Sequence, residues 1–212
     1  MAYTHRFSKK EEVANALIHG IGMVLSVVGL VVLITVASVE GTAAHVISFT
    51  LFGVTMMLLY TSSTLVHSFP EGKAKDVFEI LDHASIYFFI AGTYTPFLFT
   101  AVPGALSWTL FGIIWGLAIV GTVLKIFFVK KFLFLSTLLY IILGWMIVFA
   151  WDPLVANVQN NGLFLLILGG VLYTGGAVFY VWRGFQYHHA IWHVFVLGGS
   201  ISHFFAVLTL LP

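Results

Sequence analysis

Long apolar runs recur along this chain, separated by short breaks in which charges, proline and glycine collect. A helix needs about 20 residues to cross the hydrocarbon core of a bilayer. Runs of that length cover residues 13–38, 43–68, 77–101, 104–126, 131–151, 162–182 and 187–211. The breaks are Glu40-Gly41, Pro70-Glu71-Gly72-Lys73, Pro103-Gly104, Lys130-Lys131, Asp152-Pro153 and Arg183-Gly184. The pattern predicts an all-α membrane protein, one bundle of seven transmembrane helices over residues 1–212. A short cytoplasmic segment, residues 1–12, precedes the first span. No remaining stretch is long enough for a second, soluble domain. The first apolar run is not expected to be a cleaved signal peptide. At about 25 residues it exceeds an h-region, and it contains Asn15 and His19.

The basic residues supply an orientation. All nine are Arg6, Lys9, Lys10, Lys73, Lys75, Lys125, Lys130, Lys131 and Arg183. With seven spans, every one falls at the N-terminus or at an even-numbered loop. Short loops rich in Lys and Arg stay in the cytoplasm. The N-terminus is therefore predicted inside and the C-terminus outside.

Composition agrees with the pattern. Hydrophobic residues make up 60% of the 212 and charged residues only 8%, against about 25% charged in a soluble domain. So little polar surface cannot cover a water-exposed globule, which makes membrane lipid the main solvent and partner. The net charge of +1 points to no nucleic-acid partner, and without cysteine there is no disulfide-linked partner and no thiolate metal site.

Polar groups inside the spans are costly and mark function. Glu12, Asn15 and His19 open the first span, and Ser63 and His67 close the second. Asp82 and His83 lie early in the third, and His189, His193 and His203 lie in the seventh. Given the predicted orientation, all but His203 gather near the cytoplasmic ends. His189 and His193 are four apart and share a helical face, as two imidazoles on one metal require. His203 is about 21 Å along the axis from His189, too far for the same ion. A third ligand must come from another helix, and His67 lies at the right depth. Three imidazoles with an open fourth position suit zinc, and Asp82 is a candidate to take a proton from water.

Spacing alone leaves other roles for these groups. His189 and His193 also fit interhelical hydrogen bonding or a headgroup-facing position, and Asp82 fits a helix-packing role. Glu12, Asn15 and His19 share one face, which suits tying the bundle together. His5, His45 and His188 are expected at membrane edges, and His83 is expected to be structural. Tyr94 and Pro96 predict a kink whose freed backbone groups are satisfied locally.

These motifs resemble the haemolysin III branch of the progestin and adiponectin receptor family, nearly end to end. The resemblance rests on Glu12-x-x-Asn15-x-x-x-His19, on Ser63-x-x-x-His67, and on Leu81-Asp82-His83-Ala84-Ser85-Ile86 continuing to Gly92-Thr93-Tyr94-Thr95-Pro96. It ends on His189-Ala190-Ile191-Trp192-His193, followed by His203. The resemblance implies seven helices with a cytoplasmic N-terminus. It implies zinc held by His67, His189 and His193, with Asp82 beside the ion's water and Ser63 as the serine of the second-span motif. Family members and the distantly similar alkaline ceramidases are linked to hydrolysis of lipid amides, so a lipid-like substrate and a zinc-dependent hydrolase are expected. The other expectations are a non-enzymatic regulator of membrane lipid homeostasis with structural zinc, and a cytolytic protein. The third is supported least, because no polar stripe is wide enough to line a pore.

Overall fold

A computed structural model describes residues 7–212; His5 and Arg6 lie outside the described residues. The described chain is helical, with no strand among the described residues. Its helices are α1 (Lys9–Glu40), α2 (Ala43–Ser68), α3 (Lys73–Thr100), α4 (Gly104–Phe128), α5 (Leu133–Trp145), α6 (Trp151–Asn157), α7 (Asn160–Val181) and α8 (His188–Leu208). A 3₁₀ turn, Met146–Ala150, joins α5 to α6. Six helical stretches are long and apolar enough to cross a membrane, with Leu133–Asn157 counted as one. The chain is thus an integral, multi-pass membrane protein.

The exception is α3. Its 28 residues reach about 42 Å, ample for a bilayer, but Lys73, Lys75, Asp76, Glu79 and Asp82 occupy its first half. These charges are tolerated because α3 is enclosed. It packs on α2 and α4 and also touches α5 and α8. The neighbours run in a ring from α4 through α3, α2, α1, α8 and α7 to α5, which returns to α3.

Local chemistry sets the helix ends. Ser8 and Glu11 form a reciprocal capping box at the start of α1. His45 does the same for α2: its Nδ1 accepts the Thr42 N–H at 3.1 Å, so its Nε2–H donates to the Leu210 carbonyl at 3.0 Å. His45 stands in the first turn of α2 and is buried, because capping and the C-terminal turn claim both ring nitrogens. His188 opens α8; it too is buried and donates from Nδ1 to the Phe179 carbonyl.

The fifth span also differs from its predicted bounds. Asp152-Pro153 does not end it, and the helix resumes at Trp151 and runs to Asn157. Proline is harmless there because first-turn N–H groups have no helical partner. The true irregularity is the 3₁₀ turn before it. Tyr94 of α3 repairs that turn, donating to the Leu143 and Gly144 carbonyls at 2.8 and 2.6 Å and accepting from Ile147 N at 2.9 Å. The Tyr94 hydroxyl, expected near a kink at Pro96, thus bonds to the neighbouring span. α3 continues through Pro96 to Thr100, and Tyr94 serves a neighbouring helix. Close approach elsewhere relies on missing side chains. A Cβ on Gly169 would stand 2.2 Å from the His203 ring, so α7 and α8 meet there only because that position is bare.

Candidate metal centre

The last turn of α2 carries His67 and the first turns of α8 carry His189 and His193. Tyr187 starts α8 from a left-handed conformation (φ 63°), and its N–H donates to Glu11 Oε1 at 3.0 Å. The opening of α8 is thereby pinned to α1. One potential ligand nitrogen from each of the three histidines lies within 4.8 Å of the others. The ring centroids are 5.2 Å apart for His67–His189, 5.1 Å for His67–His193 and 4.5 Å for His189–His193. All three are buried.

The hydrogen bonds behind these rings show which nitrogens are available. His67 Nδ1 lies 2.6 Å from Glu12 Oε2. A carboxylate only accepts, so Nδ1 carries the hydrogen and Nε2 keeps its lone pair. That Nε2 is buried and has no hydrogen-bond partner among the described residues. His193 repeats the arrangement, donating from Nδ1 to the Asn15 carbonyl at 3.3 Å. Backing of this kind, on the far nitrogen, is how proteins orient metal-binding imidazoles. Zinc bonds of about 2.0–2.1 Å in a tetrahedron put ligand nitrogens about 3.4 Å apart. Small side-chain rotations close the set to that size, so the three histidines can hold a metal ion.

The other predicted residues assemble around this trio. His19 Nδ1 and Ser63 Oγ are 2.6 Å apart, and the His19 ring stacks on His193 at 3.5 Å between centroids. Glu12 also accepts from Lys75 Nζ. Asn15 is fully buried, with neither side-chain amide atom bonded among the described residues. Asp82 borders two cavities, sharing the larger with Ser63 and the smaller with His67. The larger, about 140 Å³, has mainly apolar walls, with His19, Ser63, Asp82, His189 and His193 at one end. Its side wall between α5 and α7 includes Gly144, Trp145 and Gly170. His203 also lines it, but stands apart from the trio and donates from Nε2 to the Leu166 carbonyl at 3.0 Å. The smaller cavity, about 30 Å³, is lined largely by ionisable side chains, among them Glu12, His67, Lys75, Glu79 and Asp82.

Phe7 and Lys75 join the site although the sequence pattern did not single them out, and His83 joins it in a role the pattern did not predict. Phe7 lies over it, 4.9 Å from His189 and 6.0 Å from His67 between ring centroids. Lys75 reaches Glu12. His83, expected to be structural, borders both cavities; it donates from Nδ1 to the Glu79 carbonyl and accepts from Tyr180 at 3.1 Å. The missed signal for Lys75 was its spacing with Glu79 and Asp82, at i, i+4 and i+7 on one helix face.

Comparison with known proteins gives the family of the chain. The profile of the family described as "Haemolysin-III related" matches residues 7–204. The "Hemolysin-3 homolog" of Bacillus subtilis (strain 168) is 54% identical over 202 residues, covering 95% of each chain. The "Hemolysin-3" of Bacillus cereus is 54% identical over 199 residues, 94% of this chain and 91% of that one. More distant is the human "Monocyte to macrophage differentiation factor", 29% identical over 205 residues, 93% of this chain and 83% of that one. The chain that carries this buried histidine trio at one end of a helical membrane bundle belongs to the haemolysin III family.

Proposed function

We propose that this protein is a zinc-dependent hydrolase of lipid amides or esters, working on a substrate taken from the surrounding membrane. One observation carries the reading: His189, His193, Asp82 and Ser63 line a mainly apolar cavity, and His67 completes the trio from the smaller polar cavity that shares Asp82 and His189. A site for a free ion needs no such chamber, whereas a lipid chain does. When bound by His67, His189 and His193, zinc supplies Lewis acidity toward a carbonyl and toward water. Asp82 accepts the proton of the attacking water as general base. Ser63, held by His19, donates a hydrogen bond to the carbonyl oxygen as charge develops on it. The apolar wall takes the acyl chain and keeps bulk water from it. In this reading α3 is the seventh span, and the site end of the bundle faces the cytoplasm, as the loop charges predict.

The test is turnover of ceramide-like amides and of lipid esters by purified protein in nanodiscs. Product should form with the native chain and fall by at least 100-fold in Asp82→Asn, which keeps one equivalent of zinc. Equal product from the native chain and from His67→Ala would sink the reading.

A second reading, a structural ion in a regulator of membrane lipid homeostasis, draws on a different observation. The trio and its backing groups cross-tie α1, α2 and α8. Chelation would then lower the melting temperature with no turnover to lose. Leakage of liposomes at a low protein-to-lipid ratio, absent from an inert seven-helix control, would favour the lytic activity that the relatives' names suggest.

A further inference from the structure

The polar face of α1 meets the metal centre at three points. Glu12 reaches His67, the Asn15 carbonyl receives His193, and His19 reaches Ser63. The i, i+3, i+7 stripe of the first span therefore meets groups on α2 and α8, through the Glu12 and His19 side chains and the Asn15 backbone carbonyl. Nothing on α1 is within the ligand set itself.

Glu12 differs from the other two because its contact carries charge and is itself held. Oε2 accepts from His67 Nδ1, and Oε1 accepts from Lys75 Nζ of α3. The three side chains are 19% (Glu12), 6% (His67) and 11% (Lys75) exposed. A carboxylate clamped on both oxygens cannot swing away, and the ring bonded to it cannot flip without breaking a charge-assisted bond. The alternative His67 tautomer would put a lone pair against the carboxylate and a hydrogen where an ion belongs.

We propose that Glu12, clamped by Lys75, is the positioning residue of the metal centre: it fixes the His67 tautomer and ring orientation so that Nε2 is presented to the ion. This rests on the reading of His67, His189 and His193 as metal ligands. Removing such a backing group weakens metal affinity by about 10–100-fold.

The experiment is a titration of the metal-stripped full chain in detergent. Cobalt(II) is followed by its visible absorption, and zinc by competition with a chromophoric chelator. Glu12→Gln keeps the side-chain shape but removes the charge. It is expected to weaken both ions by about 10–100-fold, to alter the cobalt spectrum and to leave the metal-free melting temperature close to native. In a His67→Ala background, Glu12→Gln should add no further loss. Affinity within twofold of native overturns the proposal, as does an equal loss in both backgrounds, which would mean that Glu12 acts elsewhere. Should Glu12→Gln fail to fold, Lys75→Met carries the test: it leaves the contact with His67 and loosens the clamp, so a native affinity there overturns it. A native chain that binds neither ion refutes the metal centre itself, an outcome distinct from any behaviour of the Glu12 variants.

Discussion

Tyr94→Phe isolates the repair of the α5–α6 junction. The change removes one hydroxyl and keeps the ring, so no large cavity opens. It strips the Ile147 N–H of its acceptor at 2.9 Å and the Gly144 carbonyl of the Tyr94 hydroxyl at 2.6 Å, while the Leu143 carbonyl keeps the Met146 N–H. The side chain is only 5% exposed, so water cannot readily replace it. A buried group left unsatisfied costs about 1–3 kcal/mol. One amide and one carbonyl together predict a loss of about 2–6 kcal/mol. At about 2–4 °C per kcal/mol for a chain of this size, the melting temperature should fall by roughly 4–24 °C. The assay is thermal unfolding in nanodiscs, paired with amide hydrogen exchange at Ile147, which should quicken. Tyr173→Phe is the control, because its hydroxyl meets only the Ser200 side chain, at 3.0 Å. A single interhelical hydrogen bond in a bilayer is worth about 0.6 kcal/mol on average. A loss that small for Tyr94→Phe, with unchanged exchange at Ile147, would refute the repair role.

Two further substitutions probe packing and surface charge. Gly92→Ala would put a Cβ 2.0 Å from Thr55 Oγ1, forcing α2 and α3 apart at a cost of about 1–3 kcal/mol; unfolding of the Gly92→Ala, Thr55→Ala double variant should recover most of it. Lys130→Gln removes contacts of 2.8 Å to Asp76 and 3.4 Å to Glu79. With Lys130 and Asp76 22% and 38% exposed, the loss should stay below about 1 kcal/mol, and it should shrink as salt is added to the unfolding buffer.

The histidine trio was legible because each part obeyed a simple rule. His189 and His193 keep helical spacing, and His67 ends the neighbouring hairpin at a matching depth. Asp82 announced itself as a carboxylate within an apolar helix. The partners of Glu12, Asn15 and His19 were not legible, because a stripe shows that a helix face is polar and not which helix covers it. Lys75 looked like a loop charge because it follows Pro70 and Gly72; only the enclosure of α3 turns it inward. Lys125, also counted with the loops, is 4% exposed and donates to Ser136 of α5 at 2.8 Å. The burial of His45 and His188 was not legible for a related reason. Distance from the span centre sets a residue's depth, while burial depends on capping and on what the next segment brings. Asp152-Pro153 looked like a break because proline's effect depends on its place within a turn, and apolar periodicity does not show that place.

The contact between α1 and α8 bears on how the molecule is made. α1 is synthesised long before α8, yet the Asn15 carbonyl must wait for His193 and the Glu11 carboxylate for the Tyr187 amide. Until then α1 has only its partners on α2 and α3. A product truncated before residue 187 lacks the Tyr187 and His193 partners of α1, the kind of mark that membrane proteases and chaperones can sort on. Completion of the fold and completion of the histidine cluster are one event, so no partial bundle can carry a finished site.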